Sequence, residues 1–312
     1  DYVKMIETHI SWVFLTGRYA YKIKKPVNYG FIDYSTLEKR KFFSYEEIRI
    51  NRRFSPAIYI GVLPISKKGG EYRVGDDENV IEYAVKMLEL PQSSIMSKLV
   101  IENKINEDYM FKIADIVYTF HENSEPIVED GFGDKKRAYL DSKENFEQSR
   151  RLRGTVIEED RFDEIERRVF EFIEQKGDVF EKRVKEGRVR ECHGDLHTGN
   201  IFIYKGKVYI FDAIEFNKRF SNIDVASDIA FFIMDLEILR REDLAYLFLR
   251  KYTELSRDVT LKDILNFYIC YRAWVRAKVE SFKIPDSELE NPEKTKKIKE
   301  YLLLAECYSE RF

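Results

Sequence analysis

Cysteine is scarce in this sequence. Cys192, Cys270 and Cys307 are the only three, widely spaced and without a C-x-x-C pair, which excludes a disulfide framework or a cysteine zinc cage and suits a reducing, cytoplasmic setting. A strong charge of either sign is also missing: the formal net charge is -3 and the pI near 6.0. That removes the chain-wide electrostatic reason to expect nucleic acid or an anionic membrane as a partner. No run approaches the roughly 18 to 20 uncharged apolar residues of a bilayer span, and the first residues lack a signal-peptide core. No internal repeat or low-complexity tract stands out. The sequence begins at Asp1 without Met and enters a strand almost at once, so the natural N-terminus is expected to lie upstream.

What is present is apolar material and punctuation. Of 312 residues 44% are hydrophobic and 14% aromatic, ample for packed cores. The first ninety residues read mostly as strands, because short runs rich in Val, Ile, Phe and Tyr are separated by turn residues. Residues 9–17 and 19–27 form two such runs around a tight turn at Thr16 and Gly17. A helix follows, announced by Ser35 with Glu38 at capping-box spacing and carried by Leu37, Phe42 or Phe43, Ile50 and Phe54. Residues 58–65 and 80–88 are strand-like, and Pro91 ends them.

Beyond Pro91 the pattern changes to long amphipathic helices, among them residues 107–121, 161–175 and 261–282. The charge-dense stretch 158–190 keeps Phe162, Ile165, Val169, Phe172 and Ile173 at helical spacing, which predicts a solvated helix face. One small β-element interrupts the helices: IFIY and VYIF flank Lys205-Gly206-Lys207, a hairpin signal. The expected architecture is α+β and two-lobed, with a small, mostly antiparallel β lobe carrying one helix over residues 1–90 and a larger helical lobe over 91–312. Clefts between lobes are preferred ligand sites.

The densest chemical signal is His193-Gly194-Asp195-Leu196-His197-Thr198-Gly199-Asn200, followed by the hairpin and Asp212. Phosphoryl transfer from ATP needs a carboxylate to orient the acceptor hydroxyl and take its proton, and oxygen ligands for magnesium. Asp195 suits the first role; Asn200 and Asp212 suit the second. Equal strand lengths out and back cancel, so Asp212 should return to roughly 5 Å from the start of the hairpin beside Asn200. The alternative is that all three are loop and cap residues, since Asp and Asn favour such positions.

The N-terminal half supplies a cation. Ala20-Tyr21-Lys22 matches the A-x-K core of the pattern whose lysine contacts the α- and β-phosphates of ATP. Its ammonium needs a carboxylate, and Glu47 lies on the helix in register with Ile50 and Phe54, near the edge facing the sheet. Lys22 with Glu47 is the preferred pair; Lys24, on the same strand face, is the second choice.

Taken together these features resemble the aminoglycoside phosphotransferase and choline kinase-like family, within the protein-kinase-like superfamily. The resemblance spans nearly the whole chain: Ala20 to Lys22, the glutamate helix, Phe120-His121, HGDLHTGN, IFD, and IDVASDIAF from Ile223 to Phe231. It implies that Asp195 is the catalytic base, that Asn200 and Asp212 bind Mg2+, and that Met87 and Leu88 lead into a hinge whose backbone holds the adenine of ATP. It also implies that Asp228 braces the catalytic loop. The chain departs from the kinase pattern in lacking a G-x-G-x-x-G loop, D-F-G and A-P-E. A regulated activation loop and a protein substrate are therefore not expected.

Three functions follow, in order of preference. The first is an ATP- and magnesium-dependent small-molecule kinase acting on a sugar, amino sugar or aminoglycoside-like hydroxyl. The second is a metal-dependent phosphohydrolase built on His193, Asp195 and His197, although structural histidines beneath the loop are the preferred reading. The third is a non-catalytic nucleotide-binding regulator. Glu215, Asp235 and Glu237 are candidate acidic lining for a cationic acceptor, and Arg272 with Arg276 reads as a solvated stripe rather than an anion-binding pair.

Overall fold

The computed structural model describes residues 3–312, which group into two compact units that interleave along the chain. One comprises the chain up to Ile105 with His193–Ser221, the other Asn106–Cys192 with Asn222–Phe312. Where the sequence reading draws a single boundary near residue 90, the motif-bearing stretch from His193 to Ser221 groups with the β-sheet.

The first unit is built on a six-stranded antiparallel sheet of β1 (Lys4–Glu7), β2 (Ser11–Leu15), β3 (Tyr19–Lys24), β4 (Tyr59–Lys68), β5 (Glu71–Val74) and β6 (Val80–Leu88), in the order β1-β2-β3-β6-β4-β5. Strands β1 and β5, which lie outside the runs read from the sequence, are its two edges. Both are short and almost wholly exposed, so neither carries an alternation to read. The turn between β2 and β3 closes as expected, with Thr16 N–H donating to Tyr19 O at 3.0 Å.

Helix α1 (Leu37–Phe54) is capped by Thr36, one residue later than expected: Thr36 Oγ1 accepts from Lys39 N–H at 3.3 Å. Ser35 is diverted because Asp33 Oδ1 accepts both its hydroxyl and its amide, at 2.6 and 3.0 Å. The buried face of α1 includes Arg40, Ser44, Glu47 and Asn51 beside Ile48 and Phe54. Polar groups buried in this number need partners, and those of Glu47 and Asn51 form the site.

Strands β8 (Ile201–Tyr204) and β9 (Lys207–Ile210) form the expected hairpin. Tyr204 stands opposite Lys207, so the turn is the two residues Lys205 and Gly206, at φ 50° and 74°, the left-handed pair that hairpin twist favours. Phe202 joins Ile48, Ile58, Tyr59, Val85 and Leu90 in one apolar cluster, with Met87 and Phe211 packed against it. An inner face this apolar explains why the hairpin packs with the sheet. Short helices α2 (Met96–Ile101) and α7 (Lys218–Ser221) complete the unit.

The second unit holds α3 (Glu107–Glu122), α4 (Lys135–Gln148), α5 (Glu159–Gln175), α6 (Gly177–Lys185), α8 (Val225–Ile238), α9 (Glu242–Ser256), α10 (Leu265–Ser281) and α11 (Pro292–Ser309), with β7 (Val189–Glu191) paired to β10 (Asn222–Asp224). In α5 the five expected apolar residues are buried, and Arg167 pairs outward with Glu164 and Glu171. The charge-dense stretch is not solvated throughout, because Arg183 is fully buried between Asp224 and Asp258. Arg272 likewise is not part of a solvated stripe. It is buried, its Nε donates to Ser227 O and Oγ at 3.1 Å, and its guanidinium lies 5.1 Å over the Phe231 ring. No described helix is long and apolar enough to cross a membrane.

Candidate active site

The site assembles inside the first unit from a strand, a helix, a loop and the end of the hairpin. In β3, Lys22 and Lys24 point to one face because side chains alternate along a strand. Both reach Glu47 of α1. Lys22 Nζ lies 3.0 Å from Glu47 Oε1 and Lys24 Nζ 2.7 Å from Oε2, so the preferred and second-choice lysines share one fully buried carboxylate. Burial alone would raise the Glu47 pKa, but the two ammonium groups bring it down to about 2. Burial pulls the Lys22 pKa down, yet Asp212, Glu47 and Glu215 outweigh it and hold the ammonium charged.

The hairpin then delivers Asp212. Phe211 N–H donates to Asn200 O at 3.0 Å, closing the ladder one residue beyond β9. Asp212 follows directly, and its Oδ1 is 2.5 Å from Lys22 Nζ while the side chain stays 47% exposed. Backbone pairing thus sets Asn200 opposite Phe211, the residue before Asp212, and a chain of ion pairs joins Lys22, Glu47 and Asp212.

Asp195 sits in the loop before the hairpin, its side chain 36% exposed. Asn200 Nδ2 donates to Asp195 O at 2.9 Å and to Asp195 Oδ2 at 3.1 Å, which turns the amide oxygen of Asn200 away from Asp195. That oxygen and the exposed Asp212 carboxylate are hard donors of the kind Mg2+ takes.

The histidines are held by backbone. Buried His193 stacks edge-on to Phe54 with centroids 5.3 Å apart, donates from Nε2 to Phe211 O at 2.9 Å and accepts at Nδ1 from Asp195 N–H at 3.2 Å. Both ring nitrogens are therefore used in shaping the loop, as the structural reading expects, which counts against a hydrolytic metal centre. His197 Nδ1 accepts from Gly199 N–H at 3.0 Å, leaving the Nε2 proton toward Asp195 Oδ2 at 3.5 Å. Among the described residues the ligand atoms that converge closely belong to His121, Cys192 and Asp228 of the second unit. There His121 bonds Tyr252 Oη at 2.8 Å and Asp228 Oδ2 at 3.0 Å.

Met87 and Leu88 end β6, two and three residues beyond Val85, the cross-strand partner of Lys22. Met87 packs against the apolar cluster, and Leu88 N–H donates to Ile58 O at 2.9 Å. Glu215 is not acidic lining for an acceptor. Its side chain is 4% exposed, ion-paired to Lys24 and accepting from Tyr34 Oη at 2.6 Å. Glu237 is likewise engaged, accepting from Tyr308 Oη at 2.6 Å. Sequence reasoning missed Tyr34, Asn51 and Tyr59. A tyrosine or asparagine on an apolar face is an ordinary core residue until its partner is known; only the polar buried stripe of α1 hinted at Asn51.

No family model matches the chain. It is 31% identical over 290 residues to uncharacterized proteins of Mycobacterium bovis and Mycobacterium tuberculosis, an alignment covering 93% of this chain and 57% of each relative. The chain thus spans little more than half the length of the curated relatives it matches. Among solved structures it is similar to glucosamine kinase in complex with glucosamine, ADP and inorganic phosphate (TM-score 0.54, 12% identity, 95% of this chain and 74% of that one). A choline/ethanolamine kinase family protein from Mesorhizobium loti aligns at TM-score 0.53 and 10% identity, covering 98% and 93%. A GDP complex of a mutant aminoglycoside 2'-phosphotransferase IIIa aligns at 0.53 and 13%, covering 96% and 91%. The fold is therefore the protein-kinase-like α+β fold that the sequence motifs suggested.

Proposed function

We propose that this protein is a small-molecule kinase that moves the γ-phosphate of ATP to a hydroxyl of a sugar, amino sugar or aminoglycoside-like acceptor in the cytoplasm. The observation that carries the reading is the convergence of Lys22, Glu47, Asp212, Asn200 and Asp195 within one packed unit. Lys22, steadied by Glu47, would contact the α- and β-phosphates. Asn200 and Asp212 would hold Mg2+, which neutralises phosphate charge when bound. Met87 and Leu88 lead into the backbone that holds adenine. Asp195 orients the acceptor hydroxyl and accepts its proton as the oxygen attacks, while His197 and Asn200 steady its carboxylate. The glucosamine, ADP and phosphate of the similar glucosamine kinase structure suggest where to begin the acceptor screen.

The test is ATP turnover over a panel of hydroxylated metabolites and aminoglycosides. Asp195→Asn is expected to lower kcat by roughly 100- to 10,000-fold while ATP affinity stays near the parent value. ATP turnover without phosphorylated acceptor, or full activity in Asp195→Asn, would refute the assignment.

A further inference from the structure

Asp212 has φ 63°, a left-handed conformation that Asp tolerates better than most residues with a Cβ but that its surroundings must still select. Three consecutive amides make that selection, each tied to a different element. Asp212 N–H donates to Tyr59 Oη of β4 at 3.1 Å. Ala213 N–H donates to Asn51 Oδ1 of α1 at 2.9 Å, and Ile214 N–H donates to His193 O of the loop at 2.9 Å. Tyr59 and Asn51 are 1% and 0% exposed, so neither side chain is free to choose another partner. Asn51 is fixed from behind, because its Nδ2 donates to Glu47 O at 2.9 Å.

We infer that Tyr59 and Asn51 are positioning residues that hold the backbone of Asp212 left-handed and so aim its carboxylate. The inference rests on the reading of Asp212 as a magnesium ligand. Through Asn51, the turn of α1 that carries Glu47 and the peptide that carries Asp212 form one rigid linkage. The residue that pairs with Lys22 and the residue that reaches toward the metal then cannot move independently. Loss of the Tyr59 hydroxyl frees the amide of Asp212 itself, and loss of the Asn51 amide oxygen leaves the buried Ala213 amide unpaired; either lets the left-handed residue relax by turning its carboxylate.

The experiment measures ADP affinity of the full chain by calorimetry, without divalent metal and across a Mg2+ titration, with urea unfolding alongside. Tyr59→Phe removes one oxygen and keeps the ring. Asn51→Leu removes both amide contacts, and if it fails to fold, Tyr59→Phe carries the test. The expected result for Tyr59→Phe is metal-free ADP affinity within about twofold of the parent. The Mg2+ concentration giving half of the affinity gain should rise roughly ten- to a hundredfold, the usual effect of removing a residue that orients a metal ligand. Tyr34→Phe, whose hydroxyl meets Glu215 and not the Asp212 backbone, should shift that midpoint less. An unchanged Mg2+ midpoint in folded Tyr59→Phe overturns the positioning role alone. A parent chain whose ADP affinity ignores Mg2+ overturns both this role and the reading of Asp212 beneath it.

Discussion

Lys24 Nζ lies 2.7 Å from the Glu47 oxygen that Lys22 leaves free, with only 1% of the lysine side chain exposed. The helix carboxylate is therefore held from two sides. Lys24 also pairs with Glu215, whereas Lys22 faces the half-exposed Asp212. The two lysines differ in consequence although they share a strand face.

Replacing them should separate stability from ligand binding. Lys24→Met strands Glu47 Oε2 and Glu215 as buried carboxylates, and a broken buried pair costs about 3–5 kcal/mol. Lys22→Met leaves Glu47 paired to Lys24 and Asp212 open to water, so the expected loss is about 1 kcal/mol, with nucleotide affinity falling instead. Urea unfolding and calorimetry on both variants check this; equal stability losses would contradict it.

Acid should find the same pair. The folded pKa of Glu47 is depressed from 4.5 to about 2. Its contribution is therefore present above pH 4.5 and is lost as pH falls toward 2, on the order of 3 kcal/mol in total. Urea midpoints between pH 6 and 2.5 should fall more steeply for the parent than for Glu47→Gln. Parallel slopes would mean that Glu47 is not held in this way.

The second unit has its own buried charge. Arg183 donates to Asp224 at 2.6 and 2.8 Å, to Asp258 at 3.0 and 2.9 Å and to Thr260 Oγ1 at 2.8 Å. Burial would raise the Asp258 pKa, but Arg183 brings it below the ordinary value. Arg183→Leu should destabilise by about 3–5 kcal/mol, and Arg183→Lys, lacking the planar fork, should rescue little. Thermal unfolding distinguishes this from a lysine variant that melts with the parent.

Gly194 stands one residue before Asp195 at φ 81°, and a Cβ there would lie 2.6 Å from Phe220 O. That oxygen is backbone and cannot swing aside, so Gly194→Ala should cost about 2–4 kcal/mol from conformation and overpacking and disturb Asp195. Gly206, at φ 74° in the hairpin turn, would meet nothing within 4 Å. Its alanine variant should lose only about 1 kcal/mol. Similar losses at both sites in urea unfolding would argue against the close approach at Gly194.

Much of this molecule was legible in one dimension because local rules governed it. Hydrophobic period separated the β-half from the helical half, and the Lys205-Gly206 turn announced the hairpin. The hairpin signal foretold that the chain returns beside Asn200, where Phe211 N–H bonds its carbonyl, since strand geometry fixes how far a short hairpin travels. The register of Glu47 with Ile50 and Phe54 marked it as buried for the same reason. Other features depended on polar partners that hydrophobic period does not record, some two residues away and some far along the chain. Asp33 took Ser35 and moved the helix cap by one residue; Lys24 and Tyr34 turned Glu215 from open acidic lining into a buried counter-charge. Arg183 and Arg272 look like solvated charges until the helices close around them. Tyr59 and Asn51 carry no pattern at all, because each is defined by a backbone amide more than 150 residues away. Periodicity records what a residue does to its own helix or strand. Which buried polar atoms meet is settled by long-range packing, where an unpaired group is too costly to leave alone.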